Sequence, residues 1–395
     1  MRTYERTHSW LDFVLDLRSL DYTTWLMLGE ASSKIEHIAG VPLEPELASK
    51  LHQIYLAKGV MATTAIEGNT LSESEVRDHL DGKLKLPPSR EYLAQEVDNI
   101  VAACNSIGSS LLQDPLSPLH IDEIKGFNKQ VLHNLPLQEE GIIPGGFRKY
   151  SVTVGRYRGA PPEDCEFLLE NFCRWLNEMV APKGLELHYA IIKAIVAHLY
   201  FVWIHPFGDG NGRTARLIEL RLLLSAGVPT PAAHLLSNFY NQTRSEYYRQ
   251  LDHASKSEGK IDSFVAYALR GFVDQLGEQL DEIRAMQWEI TWRNHVYERF
   301  DKGTGANLRR RMLVLELSKL TTENGWVTIS DIPMISAALA IAYKDKTRKT
   351  LTRDISTIAK LGLVEHTRGK VRAKREIILA FLPPRIMQAS TSDRK

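Results

Sequence analysis

The chain has 395 residues, with 49 Lys+Arg against 48 Asp+Glu, a formal net charge of +1, 44% hydrophobic residues and 25% charged ones. That length divides into two or three packed units, and the composition excludes a disordered, fibrous or uniformly basic chain. Three cysteines, Cys104, Cys165 and Cys173, are an odd number without metal-ligand spacing, so they exclude a disulfide framework or cysteine zinc site and suit a reducing compartment.

From the start of the chain, Arg2, Glu5, Arg6, Asp12, Asp16 and Arg18 stand where a signal peptide needs an apolar run. Leu47, Leu51, Ile54, Tyr55, Val60 and Met61 recur at helical spacing up to Glu67, with Gly68 as the stop. Ser72 and Glu75 match a capping box and open a second helix. The stretch 142–155, with Pro and Gly turns feeding a short β run, predicts a surface hairpin. The most apolar stretch, 194–208, lacks any Asp, Glu, Lys or Arg but is shorter than the roughly 18 residues of a membrane span. It predicts a buried core helix over 187–203, and the protein is expected in the cytoplasm. A polar, glycine-rich break follows, then a helix over 213–226 closed by Gly227 and Pro229. A linker is expected at 301–305, then helices over 309–320, 329–339 and 346–361, and a β pair turning at Arg368-Gly369.

The break carries the chemistry. It reads His205-Pro-Phe-Gly-Asp-Gly-Asn-Gly-Arg-Thr-Ala-Arg216. Its glycines let backbone N–H groups approach a ligand, and the helix that follows adds unpaired donors and a partial positive charge. Arg213 and Arg216, taken as first-turn cations, oppose the helix dipole by roughly 0.3–1 kcal/mol each unless an anion sits there. Two guanidiniums beside a glycine nest suit a ligand with more than one phosphate. Asp209, the loop's single carboxylate, suits Mg²⁺ shared with phosphate oxygens, and His205 is a base with a pKa near neutrality. Together they describe attack by a hydroxyl on a nucleotide phosphate.

His205 to Arg216 matches every fixed position of the Fic motif, H-x-F-x-[DE]-G-N-G-R-x-x-R, and the resemblance runs from Leu119 to Leu251. It implies a Fic-fold helical domain that transfers AMP from ATP to a Ser, Thr or Tyr hydroxyl of a protein. By this resemblance His205 is the general base and Asp209 holds Mg²⁺; Gly210, Asn211 and Gly212 cradle the α-phosphate, and Arg213 and Arg216 grip the β- and γ-phosphates. Thr63-Thr-Ala-Ile-Glu67-Gly68 resembles the family's inhibitory motif, which implies that Glu67 pairs with Arg216 and shuts the site. Glu67 also sits at a helix C-terminus, where an acid is disfavoured. The 142–155 hairpin resembles the flap on which a protein substrate docks by strand addition. In the segment 237–248, Gln242 and Tyr248 are the candidates for base or ribose contacts.

From Tyr343 to Arg375 eleven Lys/Arg face three acids, a local charge of 11 − 3 = +8 that leaves the rest at 1 − 8 = −7. Three helices followed by a basic hairpin resemble a winged helix-turn-helix, which implies DNA binding or, equally, protein docking. The expected protein is therefore mainly α. An N-terminal helical region with the inhibitory helix spans 1–115, a Fic catalytic domain with a small β-hairpin flap 116–270, a helical linker 271–305 and a winged helix 306–385. Its partners would be ATP, a protein substrate, DNA and a second copy of the chain. The alternatives are a hydrolase that removes AMP at the same site and a nucleotide-sensing regulator that binds DNA.

Overall fold

The computed structural model describes residues 2–137, 140–155, 157–257, 259–300, 304–320 and 325–378. They form two compact units, divided between Asp281 and Glu282. The first begins with α1 (Tyr4–Thr7), α2 (Tyr22–Gly40), α3 (Pro45–Ile66), α4 (Glu73–Leu80), α5 (Glu91–Gln113) and α6 (Ile121–Val131). A hairpin of β1 (Thr153–Val154) and β2 (Tyr157–Arg158) follows. Next come α7 (Cys165–Glu178), α8 (Glu186–Ile204), α9 (Asn211–Ser225), α10 (Thr230–Ala233), α11 (Leu235–Gln242), α12 (Arg244–Lys256) and the opening part of α13 (Asp262–Glu298).

Helix α8 is apolar on every side, and a helix of that kind needs covering all round. Ile191, Ile195, Leu199 and Phe201 are completely buried, with α7, α9 and α2 packed around them. By length and composition alone this 19-residue helix could cross a membrane, and 67% of its apolar window is buried inside the unit. The charge-free stretch 194–208 understated the helix because α8 starts earlier and includes Glu186 and Lys193.

Helix α3 ends where its sequence says it should. The N–H of Gly68 bonds the Ala65 carbonyl and that of Asn69 the Thr64 carbonyl, a Schellman turn in which Gly68 has φ +107°. Helix α4 opens on the expected capping box of Ser72 and Glu75. Two expectations in this unit need correction. The paired strands of the hairpin are Thr153–Val154 and Tyr157–Arg158, so the turn lies near Gly155 and the second strand falls outside 142–155. In the stretch before it, Ile142 and Arg148 are instead buried and Phe147 pairs with Phe207. Helix α9 starts at Asn211, two residues early, because the Asn211 side chain closes the loop on both main-chain groups of Phe207. Arg213 then lies in the first turn and Arg216 in the second, where the dipole penalty has largely faded.

The second unit contains the end of α13, then α14 (Gly305–Ser318), β3 (Val327–Thr328), α15 (Ala337–Tyr343), α16 (Arg348–Lys360), β4 (Val364–Thr367) and β5 (Lys370–Ala373). The strands are antiparallel in the order β3-β5-β4, with Val327 opposite Val371 and Val364 opposite Ala373. Of the expected linker, 301–303 lie outside the described residues, while Thr304 caps α14 and Gly305 is its first residue. The expected helix over 329–339 is a 3₁₀ stretch, Ile329–Met334, followed by α15. Pro333, which lacks an N–H, stands at that break. Leu313, Leu339, Ile355, Ile358 and Val371 form the core, and Asp354, fully buried, accepts from Arg309, Arg310 and the Tyr343 hydroxyl.

Candidate functional site

The turn between α8 and α9 forms one side of a cavity of about 730 Å³, whose wall includes Glu67, His205, Gly212, Tyr247 and Tyr248. His205 caps α8 in the left-handed conformation, φ 49° and ψ 58°, which costs an L residue roughly 1–2 kcal/mol. Arg148 holds it there. Its Nε donates to the His205 carbonyl at 2.7 Å, and its other nitrogens to the carbonyls of Tyr150, Ala160 and Ile204. The imidazole Nδ1 donates to the Val202 carbonyl at 3.3 Å, which leaves the lone pair on Nε2. Burial, and then the charge of Arg148, push the His205 pKa down to about 4 against the opposing Val202 bond and the Glu67 and Asp209 charges. The ring is neutral at neutral pH, with Nε2 unprotonated, and is a weaker base than the near-neutral pKa expected from its residue type.

Both arginines are buried and already held by carboxylates. Arg216 Nη2 donates to Glu67 Oε1 at 2.6 Å and to the Thr63 carbonyl at 3.0 Å. Arg213 Nη1 donates to Glu96 Oε1 at 3.1 Å, and its Nη2 lies 3.5 Å from Asp209 Oδ1. Even so, Arg213 Nε and Arg216 Nε and Nη1 have no acceptor among the described residues. Buried cationic donors without acceptors are costly, and an anion carrying several oxygens would satisfy them. Burial alone would raise the Glu67 pKa, but the charge and hydrogen bond of Arg216, with Arg213 and His205 behind them, hold it below the ordinary carboxylate range. The carboxylate lies over Gly212, where a Cβ would collide with it. An acid therefore occupies the start of α9, the place where the helix and two arginines attract an anion.

Asp209 stands in the same loop with about a third of its side chain exposed, and one oxygen accepts the Gly210 N–H. Asn211 is corrected in part: its side chain is spent on Phe207, so it has only its backbone N–H for a phosphate. Tyr248 is on the cavity wall, its hydroxyl 3.3 Å from the Ile66 carbonyl. Gln242 is exposed at the end of α11, accepts from Gln275 and is not among the residues that line the cavity.

Sequence reading missed several polar supports. Asn128 of α6 donates to the Asp209 carbonyl at 2.8 Å and accepts from Gly145 N–H at 2.9 Å, fixing the loop. Glu96 holds Arg213, and Tyr247, buried in the wall, bonds His198, which in turn meets Glu219. Each acts across many residues of sequence. Only Arg148, inside the Pro-Gly-Gly-Phe-Arg stretch, had a local signal.

Residues 118–223 match the model of the Fic/DOC family. The chain is 34% identical over 211 residues to a protein named protein adenylyltransferase fic-1 from Caenorhabditis elegans, covering 53% of this chain and 38% of that protein. It is also 34% identical over 209 residues to protein adenylyltransferase Fic from Nematostella vectensis, covering 53% of this chain and 45% of that one. The matches thus span less than half the length of these relatives. Among solved structures, a Fic family protein from Desulfovibrio desulfuricans G20 aligns over 90% of this chain and 97% of its own, with TM-score 0.55 and 20% identity, a likeness of fold alone. A C. elegans Fic-1 fragment aligns over 67% and 74%, with TM-score 0.53 and 25% identity.

Proposed function

We propose, from the match of residues 118–223 to the Fic/DOC family model, that the chain transfers AMP from ATP to a hydroxyl side chain of a protein, from a site held shut by Glu67. The observation that carries this reading is the pairing of buried, under-satisfied arginines with an acid at the start of α9. A triphosphate would satisfy the donors that Glu67 leaves open, and it would have to displace Glu67 from Arg216 to do so.

In the proposed reaction His205 Nε2 takes the proton of the target hydroxyl. The freed oxygen attacks the α-phosphorus while the bond to the β-phosphate breaks, and pyrophosphate leaves. The backbone N–H groups at the start of α9 stabilise charge on the α-phosphate, and Arg213 and Arg216 hold the leaving group. Asp209 fits Mg²⁺ as a single, partly exposed carboxylate beside the phosphate site, the donor set of an ion that arrives with its nucleotide. Bound there with phosphate oxygens, the ion would neutralise charge on the departing pyrophosphate. The target segment would add as a strand along the exposed β1 edge of the flap.

The deciding experiment uses Glu67→Gly and His205→Ala with labelled ATP, followed by mass spectrometry of the products. Glu67→Gly should bind ATP·Mg at least tenfold more tightly and raise AMP transfer. It should also lower the melting temperature without nucleotide, because Arg216 is then buried unpaired, and show a larger upward shift with it. Adding His205→Ala should cut transfer about 100-fold or more. Unchanged affinity in Glu67→Gly would remove the brake. Because Glu67 and His205 share the cavity, a second reading is hydrolytic removal of AMP with Glu67 orienting water; release of AMP from modified protein, lost in Glu67→Gly, would favour it.

For the second unit we propose a winged helix whose α16 enters the major groove of DNA. The outward face of α16 presents Lys349, Thr352, Arg353, Ser356 and Lys360, and the β4–β5 turn presents Arg368 and Lys370, all exposed. On the same hairpin Arg372 is committed to Glu365 and Glu376, and Lys374 lies 3.9 Å from Glu365.

A further inference from the structure

Asn69 lies two residues beyond Glu67 and is 7% exposed. Its N–H closes the Schellman turn on the Thr64 carbonyl, and its Oδ1 accepts from the Leu71 N–H at 3.0 Å. Its Nδ2 donates to the Leu93 carbonyl at 2.9 Å and to Glu96 Oε2 at 2.8 Å, while the other Glu96 oxygen receives Arg213 Nη1 at 3.1 Å. One carboxamide thus joins the turn that carries Glu67 to α5 and, through a single carboxylate, to an arginine of the phosphate loop. Asn69 is thus a buried anchor of that turn, beside the Glu67–Arg216 pair and the Tyr248 bond to the Ile66 carbonyl.

We propose that Asn69 is the positioning residue of the brake: it holds the Glu67 turn against α5 so that the carboxylate lies over Gly212, and the Glu96 bridge links that hold to whatever Arg213 binds. A phosphate chain that draws Arg213 from Glu96 removes one side of the bridge, so ligand and brake oppose each other at both arginines. Such coupling is reciprocal: the factor by which nucleotide loosens the anchor is the factor by which a loosened anchor tightens nucleotide binding. The proposal rests on the reading of Glu67 as a brake.

The test measures ATP·Mg affinity by calorimetry on the full chain carrying Asn69→Asp, Asn69→Ala, Glu67→Gly, or Glu67→Gly with Asn69→Asp. Asn69→Asp keeps the acceptor for Leu71 and so the turn, but loses both donated bonds and sets a negative charge beside Glu96. It should tighten binding about tenfold, as expected for loss of a hydrogen bond to a charged group, and Asn69→Ala should act in the same direction. In the Glu67→Gly background Asn69→Asp should change affinity by less than twofold. If Glu67→Gly tightens binding while Asn69→Asp leaves it unchanged, Asn69 merely ends the helix and the proposal fails alone. Weakening by Asn69→Asp in both backgrounds, a general structural loss, also overturns it. If Glu67→Gly has no effect, the brake reading fails and takes this proposal with it. Should Asn69→Ala not fold, Asn69→Asp decides.

Discussion

His205 is held by backbone contacts on both sides: its carbonyl by Arg148 and its Nδ1 by Val202. A lowered histidine pKa means that the folded site keeps the ring neutral over a range in which a free imidazole would charge. In an NMR titration the His205 ring, assigned by its loss in His205→Ala, should therefore show a midpoint near 4 and stay neutral above it. A midpoint at the ordinary value near 6.5 would contradict the burial and the Arg148 charge that lower it. The residue types of the loop were legible because their spacing is local. Their partners were not, since Glu96 reaches Arg213 across 117 positions and Glu67 reaches Arg216 across 149. For the same reason the partner of Gln242 was not legible: it is Gln275, on a helix packed beside α11.

Among the elements, the chain flanking the hairpin meets the end of α8 through the Tyr157 hydroxyl on the Trp203 carbonyl and through Arg148, whose planar fork reaches carbonyls of Tyr150, Ala160, Ile204 and His205. Lysine has one compact ammonium and cannot match that geometry. Arg148→Lys should destabilise the first unit by about 2–3 kcal/mol in urea denaturation, given a buried hydrogen-bonded charge replaced by a poorer one, and AMP transfer in the Glu67→Gly background should fall at least tenfold. Equal stability and activity would show that the fork is not needed. Helix bounds were legible to within a few residues wherever a cap was local, as at Ser72 and Gly68. They slipped where a side-chain bridge within the loop or a ring constraint intervened, as at Asn211 and Pro333.

At the scale of the whole molecule, a net charge of +1 conceals a segment, 343–375, that carries +8. Duplex DNA binding by the full chain should fall steeply with salt, and Lys349→Ala with Arg353→Ala should flatten the logarithmic slope by about 2, near 0.9 per lost phosphate contact. Arg372→Ala, a cation already paired with Glu365 and Glu376, should change it less, and no binding at low salt would exclude the DNA reading. The sequence alone determined the mainly helical fold, the glycine-rich loop, the position of Glu67 at a helix end and the basic segment, because each is written in neighbouring residues or in periodicity. Only the tertiary structure decided which carboxylate faces which arginine, that Asn69 ties the Glu67 turn to α5, and which of the basic residues remain exposed. Those outcomes depend on distances between helices far apart in the chain, and no local pattern encodes them.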